Sequence, residues 1–423
     1  MAKILIEGGK PLSGSIKVSG AKNAALPVMA GVILSTEPVR LTNVPALNDV
    51  ETMSLVLQAL GVKAGHSGNN IYNFDASGQI SDEAPYELVK TMRASFFVMG
   101  PLLARLKRAR VPLPGGCAIG VRPVNIHLKG FEALGAQVSI EGGCAVAVAE
   151  KLRGARILLD FPSVGATENL MMAATLAEGR TVIENAAQEP EIVDLARFLN
   201  RIGAKIEGAG NPSIIIDGVE QLGGGEYSIM PDRIEAGTFA VLGAMAGGPV
   251  RVENCEPDHL NALINKLREM GAEITTEADA MVVKAPRRLK AVEVKTLPYP
   301  GFATDLQAQL MAAMCLADGS SSITETIFEN RFMHVSELAR MGANITIHDR
   351  TAVVHGVKSL QGAPVSATDL RAGAAMVLAG LLAQGHTEIS QIFHIDRGYE
   401  DLVGRISRLG ANIRRVEEPL DQK

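Results

Sequence analysis

The sequence predicts an α/β protein of two domains, built from six βαβαββ-like units with three units per domain. Three observations carry this. A helix-ending phrase recurs as Leu57-Gln-Ala-Leu-Gly61, Phe131-Glu-Ala-Leu-Gly135, Leu199-Asn-Arg-Ile-Gly203, Leu267-Arg-Glu-Met-Gly271, Leu338-Ala-Arg-Met-Gly342 and Ile406-Ser-Arg-Leu-Gly410. Its glycines are 74, 68, 68, 71 and 68 residues apart. Strand-like and helix-like periods alternate between them, as α/β layers require.

Each element has a local reason. The phrase-ending glycine suits the position just past a helix, where a left-handed backbone is wanted. Short strands follow, at Lys205–Glu207, Glu273–Thr275 and Asn344–Ile347, with second strands at Ser213–Asp217, Met281–Lys284 and Thr351–His355. Next come helices rich in Ala, Met and Leu, expected over Thr167–Ala177, Ala236–Ala246, Asp305–Ala317 and Leu370–Ala383. Such helices are apolar nearly all round and belong in a core. Strands such as Thr181–Glu184 and Val250–Glu253 lead into the amphipathic helix that closes each unit.

The sixth unit stops soon after Arg415, without its closing strands. Ile4-Leu-Ile-Glu-Gly8 and Ser15-Ile-Lys17 parallel Ile214-Ile-Ile-Asp-Gly218 and Glu226-Tyr227. The expected domains are therefore 22–229, and 1–21 plus 230–423. Two crossings between them imply a hinge and a cleft that closes on ligand.

Composition narrows the function. Of 423 residues, 47% are hydrophobic and 21% charged, with a net charge of −5, which excludes disorder and disfavours general nucleic-acid binding. Aromatics are 4% and Trp is absent, so base stacking is not the main business. The four cysteines are scattered, with no C-x-x-C pair and no histidine at metal-ligand spacing, which points to a reducing compartment and away from zinc. No signal peptide or membrane-length apolar run is seen, so a cytoplasmic protein is expected.

Units that break the pattern are candidates for function. The second unit reads Pro114-Gly-Gly-Cys117-Ala-Ile-Gly120-Val-Arg122-Pro123. Such a loop is either a lid carrying an activated thiol or a surface loop with an incidental cysteine. A second set places Arg and Asp near expected helix starts: Arg93, Asp232-Arg233, Thr304-Asp305, Asn330-Arg331, Asp369-Leu-Arg371 and Asp396-Arg397, with Lys22-Asn23 at the first helix. Asp there is commonly a cap, whereas Arg suggests an anion with more charge than one helix end can hold. Ser163-Val-Gly-Ala-Thr-Glu168 is an ordinary helix entry or a diphosphate contact.

In order and spacing, Ser19–Asn23, Pro114–Pro123, Ser163–Glu168, Thr304-Asp305, Glu329–His334, Thr368–Arg371 and Ile395–Tyr399 resemble the UDP-N-acetylglucosamine enolpyruvyl transferases over the whole chain. That family belongs to the EPSP synthase-like superfamily. The resemblance implies a two-domain inside-out α/β barrel of six units. It implies transfer of the enolpyruvyl group of phosphoenolpyruvate to the 3′-hydroxyl of UDP-N-acetylglucosamine through a tetrahedral ketal, the first committed step of peptidoglycan synthesis. It also implies Cys117, Asp305 and Asp369 in catalysis. Lys22, Asn23, Arg122, Arg331, Arg371 and Arg397 would hold phosphoenolpyruvate. Arg93, Arg122, Pro123, Val124, Asn125, Ile126, Ser163, Val164, Gly165, Asp305 and Ile327 would hold the UDP-sugar. No metal, no organic cofactor and no obligatory protein, nucleic-acid or membrane partner is implied. Asn125 stands where many relatives have Asp. Rival readings are the enolpyruvyl-shikimate phosphate enzyme and a non-catalytic ring-like clamp. The cysteine-bearing loop disfavours the first, and the acidic balance disfavours the second.

Overall fold

The computed structural model describes residues 2–90, 92–115 and 124–417. Among these residues the strands form six sheets, five of four strands and one of three. One pairing plan repeats in the four-stranded sheets. In the sheet of Glu273–Thr276, Ala280–Lys284, Gly247–Glu253 and Leu12–Lys17, the first two neighbour pairs are antiparallel and the last is parallel. The sheet of Lys205–Glu207, Ser213–Asp217, Arg180–Glu184 and Arg156–Leu158 has the same pairings in the same order. The three-stranded sheet, Arg108–Pro112, Cys144–Val148 and Gln137–Glu141, keeps both antiparallel pairs.

The chain divides into two compact units, one of residues 2–19 and 231–417, the other of 20–115 and 124–230. Each has its own apolar core. The first strand, Ala2–Glu7, lies between His386–Ser390 and Asn412–Glu417 and is antiparallel to both. It fills the place that Ser213–Asp217 fills in its own sheet. Leu12–Lys17 becomes the parallel edge beside Gly247–Glu253, as Gly225–Ser228 does beside Val39–Thr42. The start of the chain thus completes sheets whose other strands come from far along the sequence.

Helices Lys22–Gly31, Met99–Leu106 and Val164–Ala174 lie in one core, and Arg233–Met245, Gln307–Met314 and Leu370–Leu382 in the other. The last three pack on one another, and every residue of Arg233–Met245 is buried. Their Ala and Gly content permits close approach, while each buried Leu, Met or Phe contributes about 1.5–3 kcal/mol. The helices start earlier than their apolar runs suggest. Ser163 and Asp232 cap them, satisfying the first free N–H groups. The run expected over 305–317 is a short 3-10 turn, Thr304–Leu306, followed by Gln307–Met314.

All six phrase-ending glycines have positive φ, between 89° and 113°. Another glycine position is fixed by close approach. A Cβ on Gly218 would fall 1.6 Å from the Ala177 carbonyl oxygen, on Gly356 1.6 Å from that of Ala317, and on Gly8 2.3 Å from that of Ala383. These three glycines follow corresponding strands, so the repeat extends to backbone contacts that admit no side chain.

Candidate functional site

In the unit holding residues 231–417, Asp305 lies in the turn that opens the Gln307–Met314 helix. Arg331 Nη2 donates to Asp305 Oδ1 at 2.7 Å, and Arg371 Nε lies 3.3 Å from the same oxygen. Both guanidinium groups are almost wholly buried. Burial alone opposes the Arg371 charge, but Asp305, Tyr399 and Asp232 outweigh it and hold the pKa above its ordinary value. The Arg371 guanidinium also lies over the Tyr399 ring, and that of Arg331 over the Phe328 ring. Below them, Gln309 Nε2 donates to the Asp305 carbonyl, to Thr238 Oγ1 and to Tyr399 Oη.

Asp369 caps the Leu370–Leu382 helix, its Oδ1 accepting from Arg371 N at 2.8 Å and Ala372 N at 3.1 Å. Its charge acts on two histidines. His334 is fully buried, and burial with the Arg331 charge pushes its pKa down to about 4 against the pull of Asp369. His394 is lowered by burial and by Arg397, again opposed by Asp369. One neighbourhood therefore holds Asp305, Arg331, Asp369, Arg371 and Arg397. Two placements differ from the sequence reading. Arg397 follows the end of the short helix Phe393–Asp396, and Arg331 lies in the turn ahead of Val335–Arg340, so neither opens a helix. The cation at Arg397 agrees with the negative end of the helix dipole. Asp232 and Asp369 are caps, whereas Asp396 is engaged by Arg415 at 2.8 Å.

In the other unit, Lys22 is the first residue of its helix and its Nζ lies 3.1 Å from Asp49 Oδ2, with both side chains nearly buried. Asn23 follows it, half-buried. A separate cluster gathers around His127. Asn169 Nδ2 donates to His127 Nδ1 at 3.1 Å and to the Phe96 carbonyl at 3.2 Å, while its Oδ1 accepts from Gly100 N at 2.8 Å. Nδ1 is thereby the acceptor, and the ring proton sits on Nε2. Burial, with Arg93 nearby, pushes this histidine down to about 3. A Cβ on Gly165 would lie 3.4 Å from His127 Cε1, so the Ser163–Gly165 entry abuts the helix that Val124, Asn125 and Ile126 begin. Arg93, Asn125, Ile126 and Ser163–Gly165 are thus brought together through His127.

Cys117, Arg122 and Pro123 lie outside the described residues. Of the other cysteines, Cys255 and Cys315 are buried, and burial pushes their thiols up to about 11 and about 12. Sequence reasoning missed Asp49, Asn169 and Gln309, none of which stands in a repeated phrase. Among the described residues, no three His, Cys, Asp or Glu side chains are grouped to hold a metal ion. No helix of the described residues is long and apolar enough to cross a membrane.

Residues 6–406 match the family described as EPSP synthase (3-phosphoshikimate 1-carboxyvinyltransferase). The chain belongs to the EPSP synthase family. The match runs through both units, so neither is an addition to the family's fold. Among its relatives, UDP-N-acetylglucosamine 1-carboxyvinyltransferase 2 of Carboxydothermus hydrogenoformans is 58% identical over 99% of this chain and 100% of its own. UDP-N-acetylglucosamine 1-carboxyvinyltransferase of Geobacter metallireducens is 56% identical, with the same coverage. Of solved structures, the enolpyruvyl transferase NikO from Streptomyces tendae superposes with a TM-score of 0.89 at 26% identity, covering 99% of both chains. EPSP synthase from Acinetobacter baumannii superposes at 0.79 with 19% identity, covering 99% of this chain and 100% of its own, and bears on the fold alone.

Proposed function

We propose that this chain transfers the enolpyruvyl group of phosphoenolpyruvate to the 3′-hydroxyl of UDP-N-acetylglucosamine and releases phosphate, the first committed step of peptidoglycan synthesis. One observation carries the choice of acceptor. Four relatives named UDP-N-acetylglucosamine 1-carboxyvinyltransferase are 55–58% identical to the chain over 99% of its length. The shikimate-type enzyme shares only the fold at 19% identity.

The chemistry needs a base at the sugar hydroxyl, an acid at C3 and positive charge around phosphate and carboxylate. The hydroxyl gives its proton to Asp305 as its oxygen adds to C2, and C3 gains a proton. The tetrahedral ketal then loses a C3 proton and expels phosphate, leaving the enolpyruvyl ether. Cys117 is the acid on the phosphoenolpyruvate side, and Asp369 stands near the reacting carbons. Lys22, Asn23, Arg122, Arg331, Arg371 and Arg397 hold the anion. The buried Arg331 and Arg371, both aimed at Asp305, favour its ionised form, which a base requires. Arg93, Arg122–Ile126, Ser163–Gly165, Asp305 and Ile327 hold the UDP-sugar, and the His127 cluster supports this by gathering several of them.

Each unit is read as an inside-out barrel of three βαβαββ-like copies, supported by largely buried central helices and the sheet plan common to both units. The domains are 22–229, and 1–21 with 230–423, and the enzyme works in the cytoplasm. The test is phosphate release from phosphoenolpyruvate with each acceptor. Release with UDP-N-acetylglucosamine and none with shikimate 3-phosphate is expected; the opposite pattern overturns the reading.

A further inference from the structure

A carboxylate that interrupts the repeat stands behind the proposed base. In three sheets, the strand beside the parallel edge is followed by an asparagine with left-handed backbone: Asn43, Asn185 and Asn254, with φ of 54°, 53° and 56°. Each donates its side-chain amide to the carbonyl of the residue just past the parallel edge strand. The acceptors are Ile229 at 2.8 Å, Leu159 at 2.8 Å and Val18 at 2.7 Å. In the sheet of Ser320–Thr324 the corresponding residue is Thr296, whose N donates to Thr324 O as Val18 N does to Glu253 O. Here the asparagine is missing. Glu325 follows Thr324 directly, and its N bonds Arg350 O. In the three units with the asparagine, the residue after it makes that bond: Val44 to Asn70, Ala186 to Pro212 and Cys255 to Asp279. Thr326 Oγ1 takes over the asparagine's task, donating to Thr296 O at 2.6 Å.

The Glu325 side chain is thereby freed for another use. The residue is 1% exposed. Its Oε1 accepts from Thr296 Oγ1 at 2.8 Å, Ile327 N at 2.7 Å and Phe328 N at 3.2 Å, and its Oε2 accepts from Thr304 Oγ1 at 2.8 Å. Thr304 adjoins Asp305. Phe328 lies under the Arg331 guanidinium, which donates to Asp305. One carboxylate thus ties the Thr304-Asp305 turn to the Ile327-Phe328 segment. We propose that Glu325 is a positioning residue for the transfer reaction, fixing the base Asp305 and the sugar-binding backbone at Ile327 relative to each other. This role rests on the functional reading above.

The test separates geometry from charge. In Glu325→Gln, Oε1 keeps its three donors and the amide donates to Thr304 Oγ1, a hydroxyl that can also accept. Its kcat and KM values are expected within about 5-fold of wild type, because the geometry is kept. Glu325→Ala releases both segments. Since a misplacement of about 1 Å can cost 10²-fold, kcat is expected to fall roughly 50-fold and the KM for UDP-N-acetylglucosamine to rise about 10-fold, with the KM for phosphoenolpyruvate within about 3-fold. Thr304→Val removes one link only and is expected to lower kcat about 10-fold at nearly unchanged KM for either substrate. It carries the test if the alanine variant does not fold. Wild-type kcat in Thr304→Val, or in a folded Glu325→Ala, overturns the role. So does a Glu325→Gln as impaired as Glu325→Ala, which would make the charge and not the geometry responsible. A wild-type enzyme inactive on UDP-N-acetylglucosamine instead overturns the functional reading, so the two failures are distinct.

Discussion

Arg331 donates to Asp305 Oδ1 across 2.7 Å from a guanidinium that is 3% exposed, while the carboxylate it meets is 30% exposed. The cation is enclosed and the anion faces outward, so the pair presents a fixed carboxylate to whatever binds beside it. An Arg is suited to this, because its planar fork stays charged when buried. Arg331→Leu is expected to lower kcat roughly 100-fold, as loss of one preorganised donor does elsewhere. It should also cost on the order of 2 kcal/mol of stability through loss of a charged hydrogen bond. Steady-state phosphate release and urea unfolding measure both. An unchanged kcat would remove Arg331 from the reaction.

Lys22 and Asp49 form the corresponding pair in the other unit, at 3.1 Å and nearly buried. Asp49 orients an ammonium that otherwise swings on four flexible bonds. Asp49→Asn keeps the shape and removes the charge. The KM for phosphoenolpyruvate is expected to rise about 10-fold, the equivalent of 1.4 kcal/mol, with the KM for the UDP-sugar nearly unchanged. Equal changes in both values would point to a general loss of structure.

The repeated architecture was legible because each copy restates the same backbone demands. The six glycines at helix ends all take positive φ, and Gly8, Gly218 and Gly356 meet a carbonyl where a Cβ cannot fit. Gly356→Ala is therefore expected to destabilise by at least about 3 kcal/mol, read as a lowered urea midpoint. The grouping of Asp305 with Arg331 and Arg371 was legible only because these residues stand in family phrases. Asp49, Asn169 and Gln309 were not, since nothing in their local sequence says which distant side chain they will face. Helix starts were misplaced for a related reason. The apolar run marks what is buried, but Ser163 and Asp232 decide where the first N–H groups are satisfied.

Thiol reactivity should divide the cysteines. With thiols pushed up to about 11 and about 12, Cys255 and Cys315 hold a negligible thiolate fraction at pH 8 and are also shielded. An epoxide phosphonate of the fosfomycin type is expected to add to Cys117 alone. Peptide mass spectrometry locates the label, and label on Cys144, Cys255 or Cys315 would refute the assignment. Cys117→Asp should keep some turnover and resist the reagent, because a carboxyl group can move a proton but is a poorer target for alkylation.

Acid should act on the two buried histidines. His127 is held down to about 3 and His334 to about 4, both first by burial, so both are neutral in the folded chain near pH 7. The unfolded chain takes up their protons near the ordinary value of about 6.5, while the folded chain does not until far lower pH. Stability contributed above the unfolded pKa is therefore lost as pH falls from about 6.5 toward the folded values. Between pH 6.5 and 5 each histidine is expected to remove roughly 1.5 kcal/mol. The buried carboxyls of Glu168, Glu235 and Asp194, all raised first by burial, act with the opposite sign, gaining stability as pH falls. The raw profile is thus a sum, and the difference between wild type and His127→Gln isolates one histidine. That difference should shrink by roughly 1.5 kcal/mol on going from pH 6.5 to 5 in urea unfolding, because only the wild type carries the suppressed protonation. A difference independent of pH would mean that His127 takes up its proton in the folded chain as readily as in the unfolded one. Its Nδ1 could then no longer accept the Asn169 amide that ties the Ser163–Gly165 entry to the Asn125 helix.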